Sequence, residues 1–408
     1  MADKVDKFLT TRVIYHGPGA LARLDGEIHR LGGKRVGLIT DQGIAKAGIR
    51  DRVLQVIRAE VFCFDAVVPE PPYEAVDQCV QSLKENRCDL IVGLGGGSCM
   101  DTAKMAAVMM TNGGKVPDYL GVDRIPRPGL PVIAIPTTAG TGSEVSPASV
   151  FVDSRDQAKK GVRSDFILPE VAILDPILTL ELPRPLTAST GMDALTHAIE
   201  TYTALRATMM SDILAERAIR LIADNLRRAY ANGNDLPARD GMLMGSLLAG
   251  MALAVANVGG VHALAQTMGG MHRIPHGIAN SVLLPYVMEF NRMACRERYA
   301  KIADLLAGPV QGLALDEASR RAVQAVRDLI RDLHLPQHLR ELDITEDSLR
   351  LIAERCMETQ GRILSNNPRA ISVGEAEGIL REALCAEAVA YTALPGPESP
   401  GNGSRSGP

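Results

Sequence analysis

The sequence has no tryptophan, and aromatic residues make up only 3% of its 408 positions. Any core must therefore be packed from aliphatic side chains, alanine and methionine. No block of lysine or arginine stands out, and the formal net charge is −4, so the electrostatic footprint of nucleic-acid binding is missing. The seven cysteines (Cys63, Cys79, Cys88, Cys99, Cys295, Cys356, Cys385) are scattered and never spaced C-x-x-C. That argues against a disulfide framework and a cysteine zinc site, and points to a reducing compartment. The opening stretch MADKVDKFLTTR lacks the apolar region of a secretory signal, and a cytoplasmic protein is expected. Charge is also absent between Asp240 and Arg273, a run long enough to cross a bilayer, for which about 20 apolar residues suffice. It nevertheless carries Ser246, Asn257, His262, Gln266 and Thr267 and no flanking aromatic belt. A buried helix pair, with no membrane association, is the expectation.

What is present suits a two-domain enzyme. Hydrophobic residues are 46% of the chain, enough for substantial cores, and domains run at about 150 residues each. Val36–Thr40, Leu90–Leu94 and Val132–Ile135 read as buried strands of a parallel sheet. Ile44–Arg58, Tyr73–Asn86 and Met100–Met110 read as the intervening helices. This alternation predicts an α/β domain over residues 1–184. The prolines of LPRPLTAS (182–189) mark a boundary. Beyond it helical periodicity dominates, at 211–230, 239–258, 320–332, 345–359 and 374–388, predicting an all-helical domain over 185–392. The Pro/Gly/Ser-rich residues 393–408 are expected to be disordered.

Two loops carry phosphate chemistry. Gly95, Gly96, Gly97 and Ser98 follow a strand and open a helix, where backbone N–H groups can approach a pyrophosphate. The spacing is not the Rossmann fingerprint, since Ser98 stands where a third glycine belongs. The second loop, PTTAGTGSE (136–144), also follows a strand. Asp41 ends a third strand; it suits either a ribose, favouring NAD over NADP, or a helix N-cap.

Only eight histidines occur. Asp193 and His197 are spaced i, i+4 in a helical pattern, with Thr190 near its start, so they share a face. His262 and His276 lie in the segment VHALAQTMGGMHRIPHG. Three imidazoles and a carboxylate suit Zn²⁺ or Fe²⁺, while a surface pair plus a core histidine is the plainer alternative.

Taken together, GGGSCMDTAK (95–104), IPTTAGTGSEVSP (135–147), TGMDALTHAIE (190–200) and HALAQTMGGMHRIPHGIANSVLLPYVMEFN (262–291) resemble the iron-containing (group III) alcohol dehydrogenases. The likeness runs from Phe8 to about Leu384. It implies a dehydroquinate synthase-like fold: an α/β dinucleotide-binding domain, an all-α metal-binding domain, and an active site in the cleft between. It implies Asp193, His197, His262 and His276 as metal ligands, with Fe²⁺ or Zn²⁺, and Gly95, Gly96, Gly97 and Ser98 at the pyrophosphate. It implies Asp101, Thr137, Thr138, Thr141 and Ser143 along NAD, Lys160 near its ribose, Asp41 as a marker of NAD preference, and a homodimer. Small alcohols or aldehydes would be the substrates. At a position where many members carry a proton-relaying histidine this sequence has Gln266, whose amide takes up no proton near neutral pH. His272, read as one helical turn before His276, or ordered water linked to the cofactor ribose, is the expected substitute. A lyase of the same fold, or a catalytically silent binding protein, is the alternative. The lyase needs a basic cluster for a phosphorylated substrate, and near the ligand helices Arg273 stands alone in the sequence.

Overall fold

The computed structural model describes residues 5–180 and 182–384. The predicted tail, Cys385 and the end of the 374–388 helix lie outside the described residues. Strands β1 (Val13–His16), β2 (Arg35–Ile39), β3 (Glu60–Phe64), β4 (Leu90–Gly95), β5 (Gly121–Val122), β6 (Val132–Pro136), β7 (Ala148–Val152), β8 (Lys159–Arg163) and β9 (Val171–Leu174) form two sheets. The larger is parallel throughout, in the order β1-β9-β6-β4-β2-β3. The smaller is β5-β8-β7. Residues of β4 and β6 are buried on both faces, which is why each reads as an unbroken apolar run rather than an alternating one. The edge strands β1 and β3 are half-buried and escaped the sequence reading for that reason.

Helices of the same half are α1 (Leu24–Arg30), α2 (Gln42–Lys46), α3 (Ile49–Leu54), α4 (Tyr73–Glu85) and α5 (Gly97–Asn112). The helix expected over 44–58 is two short ones, broken at Gly48, whose φ of +72° no helix interior adopts.

The second half is helical. It comprises α6 (Arg184–Thr203), α7 (Met209–Ala231), α8 (Leu236–Ala256), α9 (Gly260–His272), α10 (His276–Arg292), α11 (Arg296–Ala307), α12 (Leu315–Asp332), α13 (Glu346–Thr359), α14 (Gly361–Leu364) and α15 (Val373–Leu384). Within LPRPLTAS, α6 starts at Arg184, with Pro185 in its first turn, where a missing N–H costs nothing. The uncharged run between Asp240 and Arg273 is the helix pair α8 and α9. Helix α8 is long and apolar enough to cross a membrane, but 61% of its most apolar window is buried inside the protein, in the core it shares with α6 and α7. The two halves meet where Gly142 (φ +59°) touches Gly250 of α8; a Cβ on Gly142 would lie 2.4 Å from the Gly250 Cα.

Candidate active site

Strands β2, β4 and β6 are neighbours in register, Ile39 beside Gly93 and Gly95 beside Pro136. The three loops leaving their carboxyl ends therefore emerge side by side, the usual ligand crevice of an open α/β sheet. Asp41 is indeed an N-cap, accepting from Ile44 N at 2.9 Å, while its other oxygen accepts from Cys99 Sγ at 3.3 Å. Gly95 has φ +145°, and a Cβ there would meet Cys99 Sγ at 2.6 Å. Gly97 opens α5 so close to the second loop that a Cβ would lie 2.8 Å from Thr141 Cγ2. Thr137 N donates to Gly95 O at 3.0 Å, and Gly96 faces Thr138. The Thr137 hydroxyl is buried without a partner.

Beneath these loops, Lys104 is fully buried and donates to Ser143 Oγ at 2.6 Å and to the Ser143 carbonyl at 3.1 Å. Ser143 donates in turn to Asp101 at 2.6 Å, and Asp101 also accepts from Val150 N. Asp101 and Ser143 thus brace the loops and still line the cavity. The Lys160 ammonium is held by Asp153 at 2.7 Å and Asp156 at 2.9 Å. Its neighbour Lys159 is buried instead, paired with Glu70 at 2.5 Å, and its charge reaches His276.

On the helical side, α6 presents Asp193 and His197 one turn apart, His262 comes from the first turn of α9, and His276 opens α10. Gly277 lets α10 abut α6: a Cβ there would lie 2.3 Å from the Ser189 carbonyl oxygen. Asp193 Oδ1 stands 3.7 Å from His262 Nε2 and 3.6 Å from His276 Nε2. The ligand atoms of these three all lie within 4.8 Å of one another. His197 stacks on His262 with ring centroids 4.6 Å apart, its Nδ1 3.3 Å from the Gly140 carbonyl.

Two residues the sequence reading did not single out complete the group. Glu200, buried, accepts from Val261 N at 2.7 Å and sits 2.5 Å from His262 Nδ1. That contact holds a proton on Nδ1 and turns Nε2 toward Asp193, where it could serve a cation. The Asn280 amide nitrogen donates to Asp193 Oδ1 at 2.7 Å and lies 3.1 Å from both His262 Nε2 and His276 Nε2. Both were findable, since Glu200 follows His197 at i+3 and Asn280 follows His276 at i+4.

The electrostatics fit a cation. Burial alone would push the Asp193 carboxyl up, but the imidazoles of His197, His276 and His262 outweigh it and hold it far below the carboxylate range. Burial disfavours a charged His262, yet its bonds to Asp193 and Glu200 prevail and lift it to about 9. Burial dominates at His276, lowering it to about 3 despite Asp193. Two buried carboxylates thus face the imidazoles and favour positive charge between them; a divalent cation would take the place of the proton they otherwise hold on His262. This donor set suits a divalent cation.

One cavity of about 610 Å³ joins the two sides, lined by Gly97, Ser98, Thr141, Asp193, His262, Gln266 and His276, among others. His272 is not among its walls. Nor does His272 precede His276 by a helical turn: α9 ends at His272, Arg273 adopts a left-handed conformation, and His276 begins a new helix. A four-residue spacing equals one turn only in a continuous helix, which Pro275 does not permit here.

The chain matches the model of iron-containing alcohol dehydrogenase over residues 11–176, and that of the Fe-containing alcohol dehydrogenase family, C-terminal, over 187–384. It is 44% identical to a long-chain-alcohol dehydrogenase of Geobacillus thermodenitrificans over 86% of this chain and 90% of that one. It is 40% identical to the 1,3-propanediol dehydrogenase of Klebsiella pneumoniae over 94% and 100%. A crystal structure of 1,3-propanediol oxidoreductase superposes with a TM-score of 0.91, at 39% identity over 93% and 100% of the two chains. A sulfoacetaldehyde reductase from Bifidobacterium kashiwanohense in complex with NAD⁺ superposes with a TM-score of 0.84, at 29% identity over 93% and 99%. The chain belongs to the iron-containing alcohol dehydrogenase family, and its activity is that of a metal-dependent alcohol dehydrogenase or aldehyde reductase.

Proposed function

We propose that this enzyme is NAD-linked and iron-dependent, oxidising a primary alcohol or reducing the corresponding aldehyde, and that it works as a cytoplasmic homodimer. The observation that carries the reading is the convergence of Asp193, His262 and His276 in the same cavity that Gly97, Ser98 and Thr141 line. Asp193, His197, His262 and His276 would hold the cation, with Fe²⁺ favoured by the family and Zn²⁺ compatible with the donors. When bound, NAD supplies the hydride acceptor and the cation supplies Lewis acidity that makes an alcohol a better hydride donor.

The chain's own groups do the positioning. The amides at Gly95–Ser98 and the amino end of α5 offer donors and a positive dipole to a pyrophosphate. Asp41 keeps a carboxylate oxygen beside that loop, where it suits ribose hydroxyls and repels a 2′-phosphate. Glu200 fixes the tautomer of His262. Gln266 lines the cavity but takes up no proton, and His272 stands outside it. Ordered water linked to the cofactor ribose would then carry the alcohol's proton.

The test is NADH absorbance with anaerobic, Fe²⁺-reconstituted enzyme against a panel of alcohols and aldehydes, with a chelated control. Turnover abolished by chelation supports the reading. Turnover that regenerates NAD with no net NADH, or NAD binding without turnover, points to the lyase or the silent binding protein.

A further inference from the structure

The sequence offers no run of basic residues, yet the fold assembles one. Arg163 ends β8, Arg362 lies on α14, and Arg206 sits in the turn between α6 and α7. Arg163 and Arg362 both line the cavity that holds Asp193, His262 and His276. Among the described residues, none of the three guanidinium groups makes an ion pair. Arg163 is half-buried and bonds only the Ala254 carbonyl through its side chain. The acidic groups that face it are Asp165 and Asp123. Asp165 is already paired with Lys7. Burial first, and then the like charges of Arg362 and Arg206, work against the charge on Arg163, and Arg206 likewise opposes Arg362. The protein thus keeps mutually repelling cations at one wall of its substrate cavity, an arrangement that costs stability unless an anion occupies it.

We propose that Arg163 and Arg362, with Arg206 behind them, form an anion subsite, and that the substrate is an alcohol or aldehyde bearing a carboxylate, sulfonate or phosphate at the end remote from the reacting carbon. This rests on the dehydrogenase reading above and narrows its substrate class. Guanidinium forks match all three oxyanions bidentately. The hydroxyl or carbonyl end then lies toward Asp193 and the histidines. The same cavity is also lined by Leu253 and Val258, apolar residues that suit a short methylene chain.

The experiment compares 4-oxobutanoate with its methyl ester, aldehydes that differ by one negative charge. Charge-assisted bonds of this kind make kcat/KM for the anion exceed that for the ester by roughly 10- to 100-fold. The ratio falls as salt is raised, because the rim is solvated. In the Arg163→Gln/Arg362→Gln double variant the ratio collapses toward one, and Arg362→Lys retains part of it. A second readout is calorimetric binding of ethanesulfonate, which has no reducible group, to wild-type holoenzyme and to the double variant. An ester turned over as well as the anion, or a ratio unmoved by the double substitution, overturns the subsite. If neither these aldehydes nor any member of the alcohol and aldehyde panel reacts, but ethanesulfonate binds and the variant loses it, the subsite stands and the NAD-linked dehydrogenase reading falls. If ethanesulfonate does not bind, the subsite falls whatever the turnover.

Discussion

Replacing Glu200 by glutamine isolates one contact at the centre of the site. Glu200 receives Val261 N at 2.7 Å on one oxygen and approaches His262 Nδ1 at 2.5 Å with the other. Glutamine keeps the volume and keeps an acceptor for Val261 N. Its amide NH₂ must then face His262, which forces Nδ1 to accept and shifts the ring proton to Nε2. That nitrogen, 3.7 Å from Asp193 Oδ1, loses the lone pair a cation needs. Carboxylate partners of this kind contribute about 10- to 100-fold in metal affinity, or roughly 1.4–2.7 kcal/mol. Anaerobic titration of Fe²⁺ or Zn²⁺ against a competing chelator measures it directly, with thermal unfolding monitored to confirm an intact fold. A folded Glu200→Gln protein that binds either ion as tightly as wild type would falsify the assignment of Glu200 as the residue positioning His262.

Four further outcomes are expected. Asp193→Ala loses the cation in the same titration and all turnover, and activity surviving in metal-depleted Asp193→Ala protein defeats the mechanism. Gly142→Ala, at φ +59° and with a Cβ 2.4 Å from Gly250 Cα, lowers stability by about 1–3 kcal/mol or more; a denaturation midpoint unchanged from wild type contradicts that packing. Glu144 is buried, and burial raises its carboxyl to about 7 against the partial offset of its own backbone and Lys104. The folded state therefore holds a proton that the unfolded chain has released, so stability is fullest below about 4.5 and declines as pH rises to about 7. Glu144→Gln should flatten that slope in urea titrations across the window, and an identical slope rejects the assignment. His272→Ala, outside the cavity, should leave the pH–rate profile where it was, whereas Gln266→His should add a titrating limb near neutral pH.

Much of the site was legible because its residues sit at short, regular spacings. Asp193 and His197 fall on one helical face at i+4, and the two glycine loops each follow an apolar run that could only be a buried strand. Local rules also misled. The prolines at 183 and 185 could not say whether a helix ends or begins there, because proline does either with equal ease, and the structure starts α6 between them. His272 and His276 looked like one helical turn, and the chain reverses between them. Lys160 and Lys159 are adjacent, so spacing could not say which ammonium the buried Asp153 and the exposed Asp156 would hold and which would be buried against Glu70.

The sequence by itself determined the α/β and all-helical halves, the phosphate loops and the identity of the histidines and aspartate, since each depends on periodicity or on residues within a turn or two of one another. The tertiary structure alone decided that Glu200 orders His262, that Asn280 touches three donor groups, and that Arg163 and Arg362 line the cavity with Arg206 near them. These contacts join residues as far apart as β8 and α14. Charges that are scattered along a chain carry no mutual energy until folding excludes the water between them.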